Sequence, residues 1–565
     1  MTRDGVSLGP VWAMGTNLLA WDGPSVVAHG DGAVPGSAKH MEEARAIMEG
    51  IQNRGWEFLT AVRGPFRLVW IDLSSGRWIM ARSPHGPRPL FWWSSPGGVC
   101  FSTDIPSLLD LMPSAAEPNW NRFPEYMVFQ SLAGGETLYG GVRELLPGQV
   151  VIGSLQSREP ESRSLWSQWL ESQERHGAHP GREAGEVLRE AIERSLSRDT
   201  GNTRGLFLSG GVDSALLAWG LRDADPPQEV PCLTVTCQGY RHDEGPFAQK
   251  VAQELGLQWR PIGLTPSLFS RAWAEALNAM GLPMTSTNQV IWWILCRAAA
   301  ELGWAAAFSG EGADGWFCGG LYQEEREALV LAREDRGETA RIVINCRTHT
   351  LNDPSLVERV LHPPLDLRPR LRLWEECVES PGHLMERAVL YHVRTAGHRL
   401  LSRAELVAQS HGLALELPFL ETDFLAWSRA LGWDGRNPGG VNKGLLKALC
   451  SRRFGPELAY RKKIGFPFPL RTWIRDSQEA LLRTYRDMLL DTRTMGRPIY
   501  CQPHLDRELR SRLDGSLRPA DWFLWSLINL ELWLRWVEER RRPQHSPGAL
   551  PCGLGASPGA PAGAW

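Results

Sequence analysis

The sequence predicts an α/β protein in which a parallel β-sheet with helices on both faces follows a smaller, β-rich N-terminal domain. Three observations lead to this fold class. Strand and helix patterns alternate from Leu206 onward, which is typical of a parallel sheet. Two apolar strand segments in this region end in glycine-rich turns that carry acidic residues. The chain up to Gly153 instead contains short strand patterns separated by turn residues.

The composition is that of a globular protein with two or three domains, since the chain has 565 residues, 43% of them hydrophobic and 22% charged. A net charge of −3 and the lack of a long basic run argue against nucleic acid as a partner. Ten cysteines are scattered without a C-x-x-C pair or metal-ligand spacing, so we expect reduced thiols. No signal-peptide pattern and no apolar stretch of membrane-spanning length occurs, so we expect a cytoplasmic protein without membrane contact.

Tryptophan is unusually abundant, with 26 residues that cluster in segments such as 522–536. Bulky core filling is the favoured interpretation, and a surface for a hydrophobic peptide is the alternative.

The N-terminal elements follow from short apolar runs between turns. Residues 68–71, 78–80 and 90–93 are predicted strands, separated by Ser-Ser-Gly and Pro-His-Gly turns. Residues 156–175 are polar and charged and are predicted to form a linker. An amphipathic helix is predicted over 183–196.

The first glycine-rich corner follows the apolar run 206–208 and reads Ser209-Gly210-Gly211-Val212-Asp213-Ser214. The two glycines permit positive-φ bends and close approach of a ligand. Backbone N–H groups at the start of the following helix form a site for phosphate oxygens, and Asp213 would suit a Mg²⁺ ion on those phosphates. The pattern is neither a Walker A loop nor a dinucleotide fingerprint. It indicates a pyrophosphate-binding loop of enzymes that cleave ATP between its α and β phosphates.

The remaining predicted elements lead to a second corner. We expect a strand around Val235, helices over 245–255 and 290–302, and a strand over 305–308. The last strand runs into Ser309-Gly310-Glu311-Gly312-Ala313-Asp314. Ligands of open α/β sheets gather at the carboxyl ends of strands, so we expect Asp213 and Asp314 to lie close together around a shared Mg²⁺–pyrophosphate. Beyond Pro381 the pattern is mostly helical, and the last twenty residues are predicted to be disordered.

Residues 200–540 resemble the synthetase domain of the asparagine synthetase family. Five segments occur in the family's order: 209–214, 243–252 with Asp243-Glu244, 309–314, 418–421, and 443–447 followed by 461–466. The resemblance implies an ATP-binding domain of the adenine nucleotide alpha-hydrolase (PP-loop) type. Such a domain activates a carboxylate by attack on the α-phosphate of ATP, releases pyrophosphate, and lets an amine capture the acyl group as an amide.

The resemblance also implies roles for particular residues, with ATP and Mg²⁺ as cofactors. The residues expected to bind the nucleotide are Ser209, Gly210, Gly211, Asp213, Ser214, Ser309 and Gly310. Asp213 and Asp314 are the expected Mg²⁺ ligands. Glu311 is expected to orient or deprotonate the amine, and Lys463 to neutralise charge on the adenylate and the tetrahedral intermediate, with the adjacent Lys462 as the alternative.

The N-terminal part resembles the glutaminase domain of the same family, an Ntn-hydrolase-like α+β fold. The segments 64–66, 81–91 and 138–148 follow its layout. The family's nucleophile is a Cys that becomes the first residue after Met removal, whereas this chain begins Met1-Thr2 and its first Cys is Cys100. We therefore expect a degenerate domain that does not hydrolyse glutamine, with Thr2 as the alternative nucleophile.

Departures from the family pattern precede Pro418. Glu405-Leu406 stands where the family has Asp-Arg, Ala414 replaces a loop Glu, and Glu416 replaces a loop Arg. We expect this region to face the substrate, where the charge reversal at Glu416 would repel a small acid such as aspartate. A different, larger substrate is therefore predicted.

A degenerate glutaminase domain on such a synthetase is similar to the amide-forming enzymes of natural-product pathways. Lasso-peptide macrolactam synthetases join a peptide's N-terminal amine to an internal Asp or Glu side chain, and β-lactam synthetases close a ring within one small amino acid. The latter usually carry Tyr at the position of Glu311, so the retained Glu favours the lasso cyclase. Its substrate would be a precursor core peptide, with a leader peptidase and a leader-binding protein as candidate partners. An ammonia-dependent asparagine synthetase and a non-catalytic scaffold remain alternatives.

The predicted organisation has four parts. Residues 1–160 form the degenerate glutaminase-like domain, 161–180 the linker, 181–545 the amide-forming domain and 546–565 a disordered tail.

Overall fold

A computed structural model of the protein describes residues 11–14, 17–22, 37–62, 64–95, 98–156, 159–175, 181–198, 203–224, 227–228, 230–240, 243–317, 323–332, 335–347, 349–380, 382–461, 473, 480–513 and 522–541. Among these residues, no helix is long and apolar enough to cross a membrane.

The N-terminal part contains two antiparallel sheets. The larger has the strand order β1-β2-β3-β4-β8-β9 and the smaller the order β6-β5-β7. Their strands are β1 (Val11–Met14), β2 (Asn17–Asp22), β3 (Arg67–Asp72), β4 (Arg77–Arg82), β5 (Phe91–Ser95), β6 (Gly98–Ser102), β7 (Arg143–Glu144), β8 (Gln149–Ser154) and β9 (Glu161–Ser164). The three strands predicted from the sequence correspond to β3, β4 and β5.

Alternation along β3, β4 and β8 places apolar side chains on both faces of the larger sheet, because successive residues of a strand point to opposite sides. One face packs against the helix Ser37–Arg54 and carries Leu68, Trp70, Ile79, Ala81 and Val150. The other face packs towards the smaller sheet and carries Val69, Trp78, Met80 and Val151. The N-terminal part is thus layered as helix, sheet and sheet.

The C-terminal part holds a parallel sheet, as predicted. Its strands are β10 (Arg204–Phe207), β11 (Cys232–Thr236), β12 (Trp259–Gly263), β13 (Ala306–Phe308) and β14 (Ala414–Glu416), in the order β12-β11-β10-β13-β14. Every pairing in this sheet is parallel. The expected α/β fold, with a parallel sheet after a β-rich N-terminal domain, is therefore the fold of this protein.

The helices are α1 (Ser37–Arg54), α2 (Ile105–Leu111), α3 (Phe123–Phe129), α4 (Trp166–Arg175), α5 (Ala184–Leu196), α6 (Val212–Arg222), α7 (Gly245–Leu255), α8 (Pro266–Met280), α9 (Asn288–Glu301), α10 (Ala313–Trp316), α11 (Gln323–Ala332), α12 (Arg336–Ile344), α13 (Pro354–Val360), α14 (Arg368–Val378), α15 (Leu384–His392), α16 (His398–Ser410), α17 (Thr422–Ala430), α18 (Gly432–Arg436), α19 (Gly444–Phe454), α20 (Pro456–Ala459), α21 (Ala480–Leu490), α22 (Thr492–Met495), α23 (Gln502–Leu513) and α24 (Trp522–Arg541). A π-helical turn, Val393–Gly397, joins α15 to α16. The helices predicted over 183–196, 245–255 and 290–302 correspond to α5, α7 and α9.

Residues 161–175 differ from the predicted linker. They form β9, which pairs with β8, and α4, which packs against α17. The physical reason is the apolar content of α4, since Trp166, Trp169 and Leu170 are buried. Residues 176–180 and the predicted disordered tail, 546–565, lie outside the described residues.

The Trp-rich helix α24 lies in the core, in agreement with the core-filling interpretation. Trp525 stacks on Trp273 of α8 at a ring-centroid distance of 4.3 Å. Trp533 donates its indole N–H to the Tyr139 hydroxyl of the N-terminal part at 2.9 Å. One helix thus packs against both parts of the chain.

Candidate active site

The two glycine-rich corners follow neighbouring strands of the parallel sheet. β10 pairs with β13 in parallel, with Leu206 opposite Phe308. Both strands therefore deliver their following turns to the same edge of the sheet. The predicted convergence of the corners is confirmed by this pairing and by the contacts described below.

The first corner is a tight turn that opens α6. Gly210 has φ +69°, and a Cβ built on it would lie 2.5 Å from the backbone nitrogen of Ala248, so only glycine fits there. Ser209 and Ser214 hydroxyls lie 3.0 Å apart, and Ser209 Oγ accepts from the Gly211 N–H at 3.3 Å. These bonds hold the turn in shape while the start of α6 presents its N–H groups.

The second corner packs directly against the first. A Cβ on Gly310 would come within 2.8 Å of the Asp213 Cβ and 3.1 Å of the Ser214 nitrogen. Ser309 N–H donates to the Glu416 carbonyl of β14 at 3.0 Å, and its hydroxyl accepts from the Glu311 N–H at 3.2 Å. The acidic residues of this corner are thus placed by a short turn anchored to the sheet edge.

Lys443 joins the two corners. Its Nζ lies 2.6 Å from Asp213 Oδ2 and 2.7 Å from Asp314 Oδ1, and its side chain is only 7% exposed. It stands at the N-cap of α19, a helix that packs against α6. The first turn of α6, which carries Asp213, and one ammonium group therefore meet at the carboxylates, an arrangement that suits an anion together with a cation.

The residues fit a Mg²⁺ ion. Asp213 Oδ1 is buried and has no hydrogen-bond partner among the described residues, so it is available to a cation. No group of three or more His, Cys, Asp and Glu side chains with metal-binding geometry occurs in the part of the chain that the structure describes. Mg²⁺ commonly takes one or two carboxylates and completes its shell with phosphate oxygens and water. Asp213 and Asp314 would be those two carboxylates.

The Asp243-Glu244 segment supports the first corner from its outer side. Asp243 Oδ1 accepts from the Cys237 and Gly245 N–H groups at 3.2 and 3.0 Å. Glu244 pairs with Arg461 at 2.7 Å, and the same guanidinium donates to the Gly210 carbonyl at 3.2 Å. Arg461 therefore ties this segment to the glycine turn.

The structure thus brings together most of the predicted nucleotide and metal residues. Ser209, Gly210, Gly211, Asp213, Ser214, Ser309, Gly310, Glu311 and Asp314 all lie on the two converging turns. Lys462 and Lys463 lie outside the described residues. Sequence reasoning missed Lys443 and Arg461 as site residues, although both belong to the segments quoted for the family resemblance.

Glu416 does not face a substrate, which corrects the expectation for this region. Its carboxylate is buried and pairs with Arg198 at 2.8 Å, and Arg198 also bonds to Glu421. The Glu416 side chain is therefore directed into the protein and paired with Arg198, and it does not present its carboxylate to a ligand as predicted. The physical reason is that β14 turns this side chain towards the chain segment that follows α5.

The N-terminal part meets the synthetase part in a buried polar network. Arg82 donates to Ser402 Oγ at 2.8 Å and pairs with Glu144 at 3.2 Å, and Glu144 lies 3.2 Å from His398 Nε2. Burial lowers the pKa of Arg82 to about 10. Burial alone would raise the pKa of Glu144, but His398, Arg403 and Arg82 hold it well below its usual range. This network fixes the orientation of the two parts.

Cys100 lacks the features of a nucleophile. It lies on β6, its Sγ contacts the Leu111 carbonyl at 3.4 Å, and burial raises the pKa of its thiol. Thr2 lies outside the described residues.

Comparisons with known proteins agree with this geometry. A family model described as asparagine synthase matches residues 183–535, and one described as a glutamine amidotransferase domain matches residues 39–166.

Curated relatives align along most of the chain. The chain is 24% identical over 473 residues to a Mycobacterium tuberculosis protein named "Putative asparagine synthetase (glutamine-hydrolyzing)", covering 77% of this chain and 71% of that protein. It is 21% identical over 459 residues to "Asparagine synthetase (glutamine-hydrolyzing) 1" of Bacillus subtilis, covering 76% and 71%.

The asparagine synthase match spans more than half of the chain and includes both corners and Lys443. The chain therefore belongs to the asparagine synthetase family, whose members are ATP-dependent carbon–nitrogen ligases that form AMP.

Proposed function

We propose that this ligase forms a macrolactam in a ribosomally made lasso peptide. It adenylates an internal Asp or Glu side chain of the core peptide and joins it to the peptide's N-terminal amine. ATP and Mg²⁺ are the proposed cofactors.

One observation carries the choice of substrate. The family's glutaminase nucleophile is a cysteine, whereas Cys100, the first cysteine of this sequence, lies on β6 and burial raises the pKa of its thiol. The nucleotide corners and Lys443 are nevertheless intact. The combination supports retained adenylation chemistry with an amine that does not come from glutamine, such as the N-terminus of a peptide.

The first chemical step is activation of the carboxylate. A carboxylate oxygen attacks the α-phosphorus, the bond to the bridging oxygen breaks, and pyrophosphate leaves. The N-terminus of α6 and the Lys443 ammonium would hold the pyrophosphate. When bound, Mg²⁺ would neutralise charge on the phosphates, held by Asp213 and Asp314.

The second step forms the amide. The peptide's N-terminal amine attacks the acyl carbon, its proton passes to a base, and AMP leaves from the tetrahedral intermediate. Glu311 is the proposed base or orienting group, because its turn lies beside the residues that would hold the phosphates. Lys463 is the proposed cation for the intermediate.

A purified-protein assay tests the proposal. With ATP, Mg²⁺ and a leaderless core peptide that has a free N-terminus and an internal Asp or Glu, we expect pyrophosphate release and a product that has lost one water. An N-acetylated peptide should still allow activation but not ring closure, and replacement of the internal Asp or Glu by its amide should abolish both. Pyrophosphate release without any peptide product across such peptides would contradict the proposal.

Asparagine synthesis from ammonia is the second candidate, favoured by the names of the relatives and by the retained Glu311. In the same assay, aspartate plus ammonium would then give asparagine and pyrophosphate. A β-lactam-type cyclase would instead consume a small β-amino acid. Such a compound is therefore the third substrate to test in the same assay.

A further inference from the structure

Lys443 occupies the place between two carboxylates that a divalent cation would take. Its ammonium lies within 2.7 Å of one oxygen from each of Asp213 and Asp314. These three groups together carry a net charge of −1, and without the lysine they would carry −2. An internal cation therefore already balances part of the charge that would attract Mg²⁺.

The backbone of Lys443 is fixed although its side chain is long. Its φ of +56° lies in the left-handed region, which a non-glycine residue adopts only when its surroundings hold it there. Its N–H donates to Asn437 Oδ1 at 3.0 Å and to the Phe317 carbonyl at 3.1 Å. The ammonium can consequently exchange partners by side-chain rotation while the start of α19 stays in place.

From this geometry we infer that Lys443 is an internal counter-ion that keeps Mg²⁺ out of the site until phosphates arrive. Without nucleotide, a metal ion must displace the ammonium from both carboxylates and leave it buried without a partner, which is costly. Phosphate oxygens give the ammonium a new partner, and Asp213 and Asp314 become free to hold the metal. Metal binding would then depend on the nucleotide. The inference rests on the nucleotide site of the proposed function but not on its peptide substrate.

The test measures Mg²⁺ binding to metal-free full-length protein without nucleotide, by calorimetry and by the thermal unfolding midpoint. We expect wild type to show no saturable Mg²⁺ binding in the micromolar range. Lys443→Met should unfold at a lower temperature in chelator, recover with added Mg²⁺, and bind it at least about tenfold more tightly than wild type. Lys250→Met, on the exposed side of α7, is the matched control and should behave as wild type.

Two further measurements keep the inference testable. The double variant K443M with D213N should lose the Mg²⁺ response, because one of the two carboxylates is gone. If K443M does not fold, the test is Mg²⁺ binding to the wild-type protein without nucleotide. Tight binding in that measurement would overturn the inference. A K443M variant whose Mg²⁺ response equals that of K250M would also overturn it. None of these outcomes depends on turnover of a peptide, so failure of the proposed substrate leaves them unaffected.

Discussion

At the scale of single residues, the two corners can approach closely because residue 310 is a glycine and has no side chain. Gly310 faces Asp213 and Ser214 so closely that a methyl group would overlap the Asp213 Cβ. The catalytic geometry proposed here depends on that close approach, because the carboxylates must share one cation.

Gly310→Ala is therefore expected to push the corners apart and to lower adenylation at least about tenfold, since small displacements in a positioned site are costly. Pyrophosphate release from ATP measures the effect. Gly263→Ala, where a Cβ would meet nothing within 4 Å, is the control and should retain activity. Equal rates for both variants would contradict the packing argument.

Asp213→Ala and Asp314→Ala are each expected to lower pyrophosphate release by about a hundredfold or more, because each removes a carboxylate that would hold the Mg²⁺ ion needed to neutralise charge on the phosphates. Circular dichroism should show an unchanged fold. Wild-type rates from either variant would refute the metal assignment.

At the scale of elements, α24 stabilises the core by packing its aromatic side chains against other helices. Trp525 is 1% exposed and stacks on Trp273, whose indole N–H donates to Asn529 at 2.8 Å. The abundant tryptophan of this helix thus serves packing, and the same helix reaches Tyr139 in the N-terminal part.

Trp525→Ala is expected to lower the free energy of unfolding by about 3–5 kcal/mol, the usual range for truncating a buried aromatic side chain. Urea unfolding followed by tryptophan fluorescence and circular dichroism measures it. Leu331→Ala on α11 is the control, because Leu331 is 81% exposed and its loss should cost less than about 0.5 kcal/mol. A similar loss in both variants would show that α24 is not a structural support.

At the scale of the whole molecule, the buried network of Arg82, Glu144 and His398 joins the two parts. A second contact lies nearby, where the Gly64 N–H donates to Thr422 Oγ1 at 3.0 Å. These contacts hold the N-terminal domain against the synthetase part.

Buried histidines make the stability of this assembly sensitive to acid. Burial, aided by Arg198, lowers the pKa of His85 to about 3, and burial also lowers the pKa of His392 to about 4. In the unfolded chain both titrate near about 6.5. Between that value and the folded pKa the unfolded state binds protons that the folded state does not, so the free energy of unfolding falls as the pH drops.

His85→Gln is expected to reduce this loss, by up to about 1.4 kcal/mol for each pH unit below about 6.5. The measurement is the difference in urea unfolding between wild type and variant as the pH is lowered from about 7 to about 5. Glu125 and Glu421, whose pKa values are raised by burial, affect the pH dependence of stability in the opposite direction. Both residues are present in wild type and variant, so their contributions drop out of the difference between the two proteins. Parallel pH profiles would contradict the assignment of His85.

Local sequence was sufficient for the strands β3, β4, β10 and β13 and for the two corners after β10 and β13. The apolar runs, glycines and acidic residues that determine these strands and turns lie within a few positions of one another, so the local sequence pattern is enough to predict them. The pairing of the corners also followed, because parallel strands end at one edge of a sheet.

Only the tertiary structure placed Lys443, paired Glu416 with Arg198, and turned the predicted linker into β9 and α4. Lys443 is 230 positions from Asp213, and Arg198 is 218 positions from Glu416. No local pattern encodes a partner at that distance. Which charges meet is decided by how the helices pack on the sheet, and that packing settles whether a charged residue faces a ligand or another side chain.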